Sequence, residues 1–144
     1  REGSHGRAVV PEEGLMGERS EKSMEEVIRE DGRFPPEAFA FLHEGLGRAV
    51  RGVYGDEVLP GQHHVSGRQL CEALRDLAAE RWGRLAPTVL ARWNIRETLD
   101  FGRMVYLLID HEFMRKTDED SIEDFRDVFD LKASFDSDDF DLKE

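Results

Sequence analysis

Apolar residues recur at intervals of three and four over most of residues 23–112, which is the spacing of an amphipathic α-helix. Two stripes are well defined, and they consist of Phe39, Leu42, Leu46, Ala49, Val50 and Val53 in the first and Leu70, Leu74, Leu77, Ala78 and Trp82 in the second. Residues 101–109 are apolar nearly all round, which predicts a central helix covered on several sides. The pattern predicts helices near 23–31, 36–55, 66–83, 87–94 and 98–112.

Hydroxyl side chains mark three of the predicted helix starts. Ser23 stands three residues before Glu26, and Ser66 stands three residues before Gln69. At this spacing the hydroxyl and the Glu or Gln side chain each satisfy a backbone amide of the first turn. Thr98 is the predicted cap of the last long helix.

The segment after the last long helix admits two interpretations. In the first, residues 113–117 and 125–131 are strands of a β-hairpin joined by the acidic turn 118–124, and the order of elements matches a winged helix-turn-helix. In the second, Ser121 and Asp124 begin a helix. Its apolar face would be Ile122, Phe125, Val128 and Phe129. Asp and Glu disfavour strands, which argues against the hairpin. The predicted fold class is therefore a mainly α domain of about five helices, with a C-terminal winged-helix-like β-hairpin left open.

Acidic residues are concentrated at the C-terminal end. The sequence has 20 Lys and Arg residues against 32 Asp and Glu residues, a net charge of −12. Residues 117–144 contain 3 basic and 12 acidic residues and so carry −9 of this charge. We predict a disordered N-terminal extension at 1–20, a single helical domain at 21–132 and an acidic mobile tail at 133–144.

Composition also bears on location and partners. The longest apolar run is the six residues 104–109, whereas a membrane-spanning helix needs about 20. Cys71 is the single cysteine and cannot form an intrachain disulfide. The negative charge repels nucleic acid and anionic membranes, strongly near the tail and weakly near the almost neutral body. These features indicate a cytoplasmic protein that binds no membrane.

A metal site is the most specific hypothesis for an enzymatic role. His63 and His64 precede a predicted helix, and Cys71 lies a short distance into it. Zinc or iron requires three or four converging ligands, however, and adjacent histidines usually point apart. The sequence has no Cys-x-x-Cys or His-Glu-x-x-His spacing. We therefore expect no metal, no cofactor and no catalytic residues, and a role that is not enzymatic.

Nucleic-acid binding is the first alternative function. In a winged-helix arrangement, Thr98 and Arg103 would lie near the start of the recognition helix. Asp100 in the same turn and the acidic residues 118–124 would repel phosphates. Nucleic acid is therefore a disfavoured partner.

Protein interaction is the favoured function. Aromatic residues within an acidic tail are typical of segments that dock on a partner with a basic surface. The candidate interaction residues are Trp93, Thr98, Asp100, Arg103, Phe135 and Phe140. Burial in the core is the competing and favoured interpretation for Trp93 and for Trp82.

Several motifs resemble an uncharacterised bacterial family, the conserved hypothetical proteins of Planctomycetes and Verrucomicrobia. They are Ser66-Gly67, Trp93-Asn94-Ile95, Thr98-Leu99-Asp100-Phe101-Gly102, Lys116-Thr117-Asp118-Glu119-Asp120 and Asp124-Phe125-Arg126-Asp127-Val128-Phe129-Asp130. The resemblance covers roughly residues 24–135 and departs at Asn94, where the family pattern has glycine. It implies a bacterial, cytosolic, single-domain protein without an assigned activity.

Overall fold

The computed structural model describes residues 22–56 and 64–135, and within these ranges the protein is mainly helical. The α-helices are α1 (Met24–Asp31), α2 (Pro36–Tyr54), α3 (Gly67–Trp82), α4 (Ala86–Arg92), α5 (Thr98–Asp110) and the one-turn α6 (Leu131–Ser134). There are also two 3₁₀ turns, Gly83–Leu85 and Ile122–Phe125. The first five helices correspond to the five predicted segments, so the mainly α prediction is confirmed. None of the helices in these ranges is both long and apolar enough to cross a bilayer.

The predicted serine caps are present. Ser23 Oγ accepts from the Glu26 amide at 3.1 Å, and the Glu26 carboxylate accepts from the Ser23 amide at 3.1 Å. Ser66 and Gln69 make the same reciprocal pair at 3.0 and 2.9 Å. These bonds satisfy amides that have no partner within the helix and so fix the starts of α1 and α3.

The predicted cap of α5 is wrong. Glu97 occupies the cap position, and Thr98 is the first residue inside the helix. Asp100 accepts instead from the amides of Arg96 at 2.8 Å and Glu97 at 3.3 Å. Because Thr98 lies inside the helix and not at its cap position, its hydroxyl is left to make other contacts.

The buried core lies between α2, α3 and α5. Its fully buried side chains come from all three helices and include Phe41, Leu42, Leu74, Phe101 and Met104. Nine of the 13 residues of α5 are buried, so this helix is central, as its sequence predicts.

Helices α2 and α3 approach each other most closely at Gly45. A Cβ atom on Gly45 would lie 2.1 Å from Leu74 Cδ2, so glycine is required for this contact. Ion pairs of Arg48 with Glu80 and of Arg81 with Glu44 join the same two helices where their side chains are exposed.

We expect Gly45→Ala to lower the free energy of unfolding by about 1–3 kcal/mol, because the added methyl group overpacks the core. Leu74 is 1% exposed, so its side chain is packed on all sides by the core. Gly47→Ala is the matched control on the same helix, since its Cβ would meet only Arg51 Nη1, at 3.7 Å. This control should gain about 0.5–1 kcal/mol from helix propensity. Urea unfolding followed by circular dichroism measures both; equal effects would contradict the close contact.

The predicted β-hairpin is wrong, because residues 113–131 contain no strand. Ser121 and Asp124 do form the reciprocal cap of the second interpretation, but the helix they begin is the single 3₁₀ turn Ile122–Phe125. Arg126 is extended, with φ −79° and ψ 129°, and ends the turn. The turn directs Phe125 into the core.

The predicted boundary of the domain at residue 132 requires correction. Asp130 caps α6 by accepting from the Ala133 amide at 2.9 Å, and Leu131 is buried. Phe135 is 0% exposed, and its ring meets Phe129 edge to face with centroids 6.0 Å apart. Phe135 is therefore a core residue, whereas Phe140 lies outside the described residues.

Candidate functional site

The two tryptophans pack against each other and against α2. Trp82, Trp93 and Phe41 form a triangle of rings whose centroids are 5.3, 5.7 and 5.6 Å apart. Aromatic pairs at these separations stabilise a fold beyond the area that they bury. Trp93 and Trp82 therefore pack against the core but are only partly buried.

The polar residues at the start of α5 bind other parts of the same chain. Thr98 is 1% exposed, and its hydroxyl donates to the Phe125 carbonyl at 2.6 Å and accepts from the Val128 amide at 3.1 Å. Asp100 pairs with Arg103, which also lies 3.1 Å from Glu97. The pKa of Arg103 is raised by its hydrogen bonds to Asp100 and Glu97.

These contacts correct the predicted interaction surface. A hydroxyl that is fully buried cannot reach a phosphate, and the charge of Arg103 is already compensated by two carboxylates. Thr98, which was predicted to meet a partner, instead holds the 125–128 segment against α5, while Asp100 and Arg103 pair with each other. The sequence singled out Thr98 and Asp100, and these are the two buried polar residues of the described chain.

Phe125 fits between two glycines on different helices. A Cβ atom on Gly67 of α3 would lie 2.9 Å from the Phe125 ring, and one on Gly102 of α5 would lie 2.9 Å from the same ring. Phe125 is 5% exposed. The ring therefore fills a gap that exists because neither helix has a side chain at that point.

A histidine–aspartate pair lies near the Phe125 ring. His64 Nε2 is 3.2 Å from Asp120 Oδ1, while Asp120 Oδ2 accepts from the Thr117 amide at 2.8 Å. Tyr54 donates to the His64 carbonyl at 2.7 Å. The loop before α3 is thus joined to the acidic segment after α5.

A small, mainly apolar cavity with several polar residues in its lining adjoins this pair. Its lining includes Ser66, Tyr106, Lys116, Asp120 and Asp124, and its volume of about 30 Å³ suits a single water molecule. Burial raises the pKa of Tyr106, and the carboxylates of Asp120 and Asp124 raise it further. A cavity of this size is too small for a substrate.

The candidate metal ligands do not form a site in the described ranges. These ranges contain no group of three or more His, Cys, Asp or Glu side chains placed to hold a metal ion. His64 is paired with Asp120, Cys71 is 0% exposed, and His63 lies outside the described residues.

We expect Cys71 to react with a thiol reagent only when the protein unfolds. Burial, and secondarily Glu72, raises the pKa of the Cys71 thiol from 9.0 to about 12, so the nucleophilic thiolate is scarce in the folded state. The contribution of the protonated Cys71 thiol to the free energy of unfolding is fully present below pH 9.0. It is lost as the pH rises toward about 12. Ellman's reagent with and without denaturant measures the reaction; fast reaction of the native protein would show that Cys71 is accessible.

A large apolar opening of the described chain lies along α2, and we call it the α2 groove. Its volume is about 930 Å³. Apolar side chains from α1, α2, α5 and the segment after α5 line it, and they include Met24, Ile28, Phe39, Leu42, Leu46, Val50, Leu108, Phe113 and Met114. Glu25, His43, Arg51 and Asp56 also line it and are exposed.

Sequence reasoning did not predict this groove, because most of the α2 stripe is buried: Phe39, Leu42, Leu46 and Ala49 lie in the core, and only Val50 and Val53 do not. The stripe extends along a helix of 19 residues, whereas α1 has only 8 residues. Ala40 and Gly47 were the available signal, since small residues seven positions apart on one helix leave space above it.

A second opening, the Leu85 groove, lies near the start of α4. It has a volume of about 630 Å³ and is lined by Arg84, Leu85, Pro87, Lys132 and Phe135. Its distinctive feature is Leu85, which is 66% exposed.

Protein-family models, curated proteins and solved structures were compared with this chain, and none of them matches it. The resemblance to the bacterial family therefore stays a prediction. The two grooves and the buried polar contacts are the features from which a function can be argued.

Proposed function

We propose that this chain is a protein-binding module that receives an amphipathic helix of a partner protein in the α2 groove. The observation that carries the proposal is an apolar opening of about 930 Å³ on the surface of the described chain. An opening lined mainly by apolar side chains, with a few polar groups at its edge, is the usual form of a binding site.

The shape of the groove favours a helical partner. Its lining along α2 includes Phe39, Leu42, Leu46 and Val50, at intervals of three and four; the first three are buried and Val50 is half-buried. A helix lying on this stripe would insert its own side chains at the same spacing. Gly47 lines the groove, and a Cβ atom there would meet nothing nearer than Arg51 Nη1 at 3.7 Å, which leaves room for close approach.

The charges around the groove favour a partner of mixed charge. Glu25 and Asp56 are acidic, Arg51 is basic, and all three are exposed. A surface that binds a polyanion is predominantly basic, and this one is not. We therefore expect the apolar face of the partner helix to be bordered by both acidic and basic residues.

A matched pair of α2 variants tests the proposal. Ala40 is exposed and lines the groove, whereas Gly52 is exposed on the same helix and does not line it. Ala40→Arg places a charge on the floor of the groove, and Gly52→Arg adds the same charge elsewhere.

The measurement is selection of binders from a displayed library of helical peptides, followed by affinity measurement on purified peptides. We expect enrichment of peptides with apolar residues at intervals of three and four. Their affinity should fall about tenfold or more with Ala40→Arg, a change of about 1.4 kcal/mol, and should be retained with Gly52→Arg. No enrichment, or equal binding by the two variants, would overturn the proposal.

A further inference from the structure

The Leu85 groove combines an exposed apolar side chain with basic residues. Leu85 is 66% exposed, and Val53 at 42% is the other exposed large hydrophobic residue in the described ranges. The charged residues that line the groove, Arg84 and Lys132, are both basic. A ligand that suits this surface would be acidic and would carry apolar side chains.

A segment of this composition follows directly after a residue that lines the groove. Phe135 lines the groove and is the last described residue. The following residues, 136–144, contain five acidic residues, one lysine and the two large apolar residues Phe140 and Leu142. Their composition therefore complements the groove in both charge and apolar character.

We propose that residues 136–144 dock in the Leu85 groove of the same molecule. Phe140 or Leu142 covers the exposed side of Leu85, and the carboxylates lie close to Arg84 and Lys132. This inference goes beyond the proposed function, because the surface is separate from the α2 groove and its partner is the chain itself.

Reach and concentration favour this occupant over a separate molecule. Phe140 is five residues beyond Phe135, so its position extends up to about 17 Å from a residue that already lines the groove. A short tether of this kind gives an effective concentration in the millimolar range. A second copy or another acidic protein would have to exceed that concentration to compete.

Docking would also control access to the segment. A partner with a basic surface would have to displace residues 136–144 from Arg84 and Lys132 before binding them. Because the ionic contribution is screened by salt, we expect the docked fraction to fall as ionic strength rises.

Paramagnetic relaxation in the full chain tests the inference. Cys71 is buried, so Lys143→Cys introduces the one thiol that a nitroxide reagent labels in the folded protein. This substitution retains all five acidic residues of the segment. In the ¹⁵N-labelled protein we expect the amide signals of Arg84, Leu85 and Lys132 to lose most of their intensity.

Two substitutions in the spin-labelled chain provide the comparison. Leu85→Ser removes the exposed apolar contact and should restore the intensities, whereas Val53→Ser alters the other exposed hydrophobic residue and should leave them quenched. Replacing Phe140 and Leu142 together by serine should also restore them, and it changes no described residue.

Specific results would overturn the inference. One is full intensity at Arg84, Leu85 and Lys132 in the labelled chain, and another is quenching that Leu85→Ser does not change. A third is quenching in a mixture of ¹⁵N-labelled chains without nitroxide and unlabelled chains with nitroxide, which would assign the groove to a second copy. None of these results depends on binding at the α2 groove.

Discussion

Phe125→Ala is expected to lower the free energy of unfolding by about 3–5 kcal/mol, one of the two largest effects anticipated in this protein. The ring is 5% exposed and fills the gap between α3 and α5, where Gly67 and Gly102 have no side chains to replace it. Its removal therefore leaves a cavity that neighbouring atoms cannot fill. Urea unfolding followed by circular dichroism gives the free energy and its denaturant dependence.

The two glycines supply the control for this prediction. Gly102→Ala should destabilise the native protein, because its Cβ would lie 2.9 Å from the Phe125 ring. In the Phe125→Ala background the same substitution should cost less, since the methyl group enters the space that the ring has left. A strictly additive pair, or a loss below about 1 kcal/mol for Phe125→Ala, would show that the ring does not fill this gap.

Phe135→Ala is the second large effect, again about 3–5 kcal/mol of unfolding free energy. Phe135 is 0% exposed and meets the Phe129 ring edge to face. The loss should appear in thermal and urea unfolding alike. It would place the end of the stabilised domain at residue 135 and not at residue 132.

Truncation separates this role from that of the acidic residues beyond it. A chain ending at Phe135 should keep most of the stability of the full sequence, whereas a chain ending at Ser134 should lose about as much as Phe135→Ala does. Equal stability of the two truncated chains would contradict the assignment of Phe135 to the core. Docking of residues 136–144 is tested separately, because it concerns spectral quenching and not unfolding.

Local patterns were sufficient to predict the five longer helices. The start of α1 follows from Ser23 and Glu26, and the start of α3 follows from Ser66 and Gln69, because these caps involve residues three positions apart. The burial of α5 follows from the apolar residues 101–109. Each of these features depends on neighbours in sequence, which is why the sequence predicts them.

The form of the segment after α5 depends on residues that are distant in sequence. Phe125 turns inward because Gly67 and Gly102 provide a gap, and no window of the sequence around Phe125 contains both. The same contact buries Thr98, which would otherwise stand at the exposed start of a helix. The local pattern therefore did not decide between the hairpin and the helix. It also placed the Thr98 hydroxyl on the surface, which is wrong.

The candidate site was harder to predict than the fold. The apolar stripe of α2 shows that this face avoids water, but it does not show how much of the face other helices cover. The extent of that cover depends on the length of α1 and on the path of the chain through Phe113 and Met114. The α2 groove is therefore a tertiary feature that periodicity alone cannot reveal.

The double hydrogen bond of Thr98 also affects how this protein can associate. The Phe125 carbonyl and the Val128 amide are both satisfied by one threonine hydroxyl, where in a strand they would have paired with a neighbouring strand. Residues 22–56 and 64–135 contain no strand, so they present no sheet edge to another molecule. Association through these residues would depend on complementary side chains, a mode that is reversible and selective, and not on growth of a β-sheet between chains.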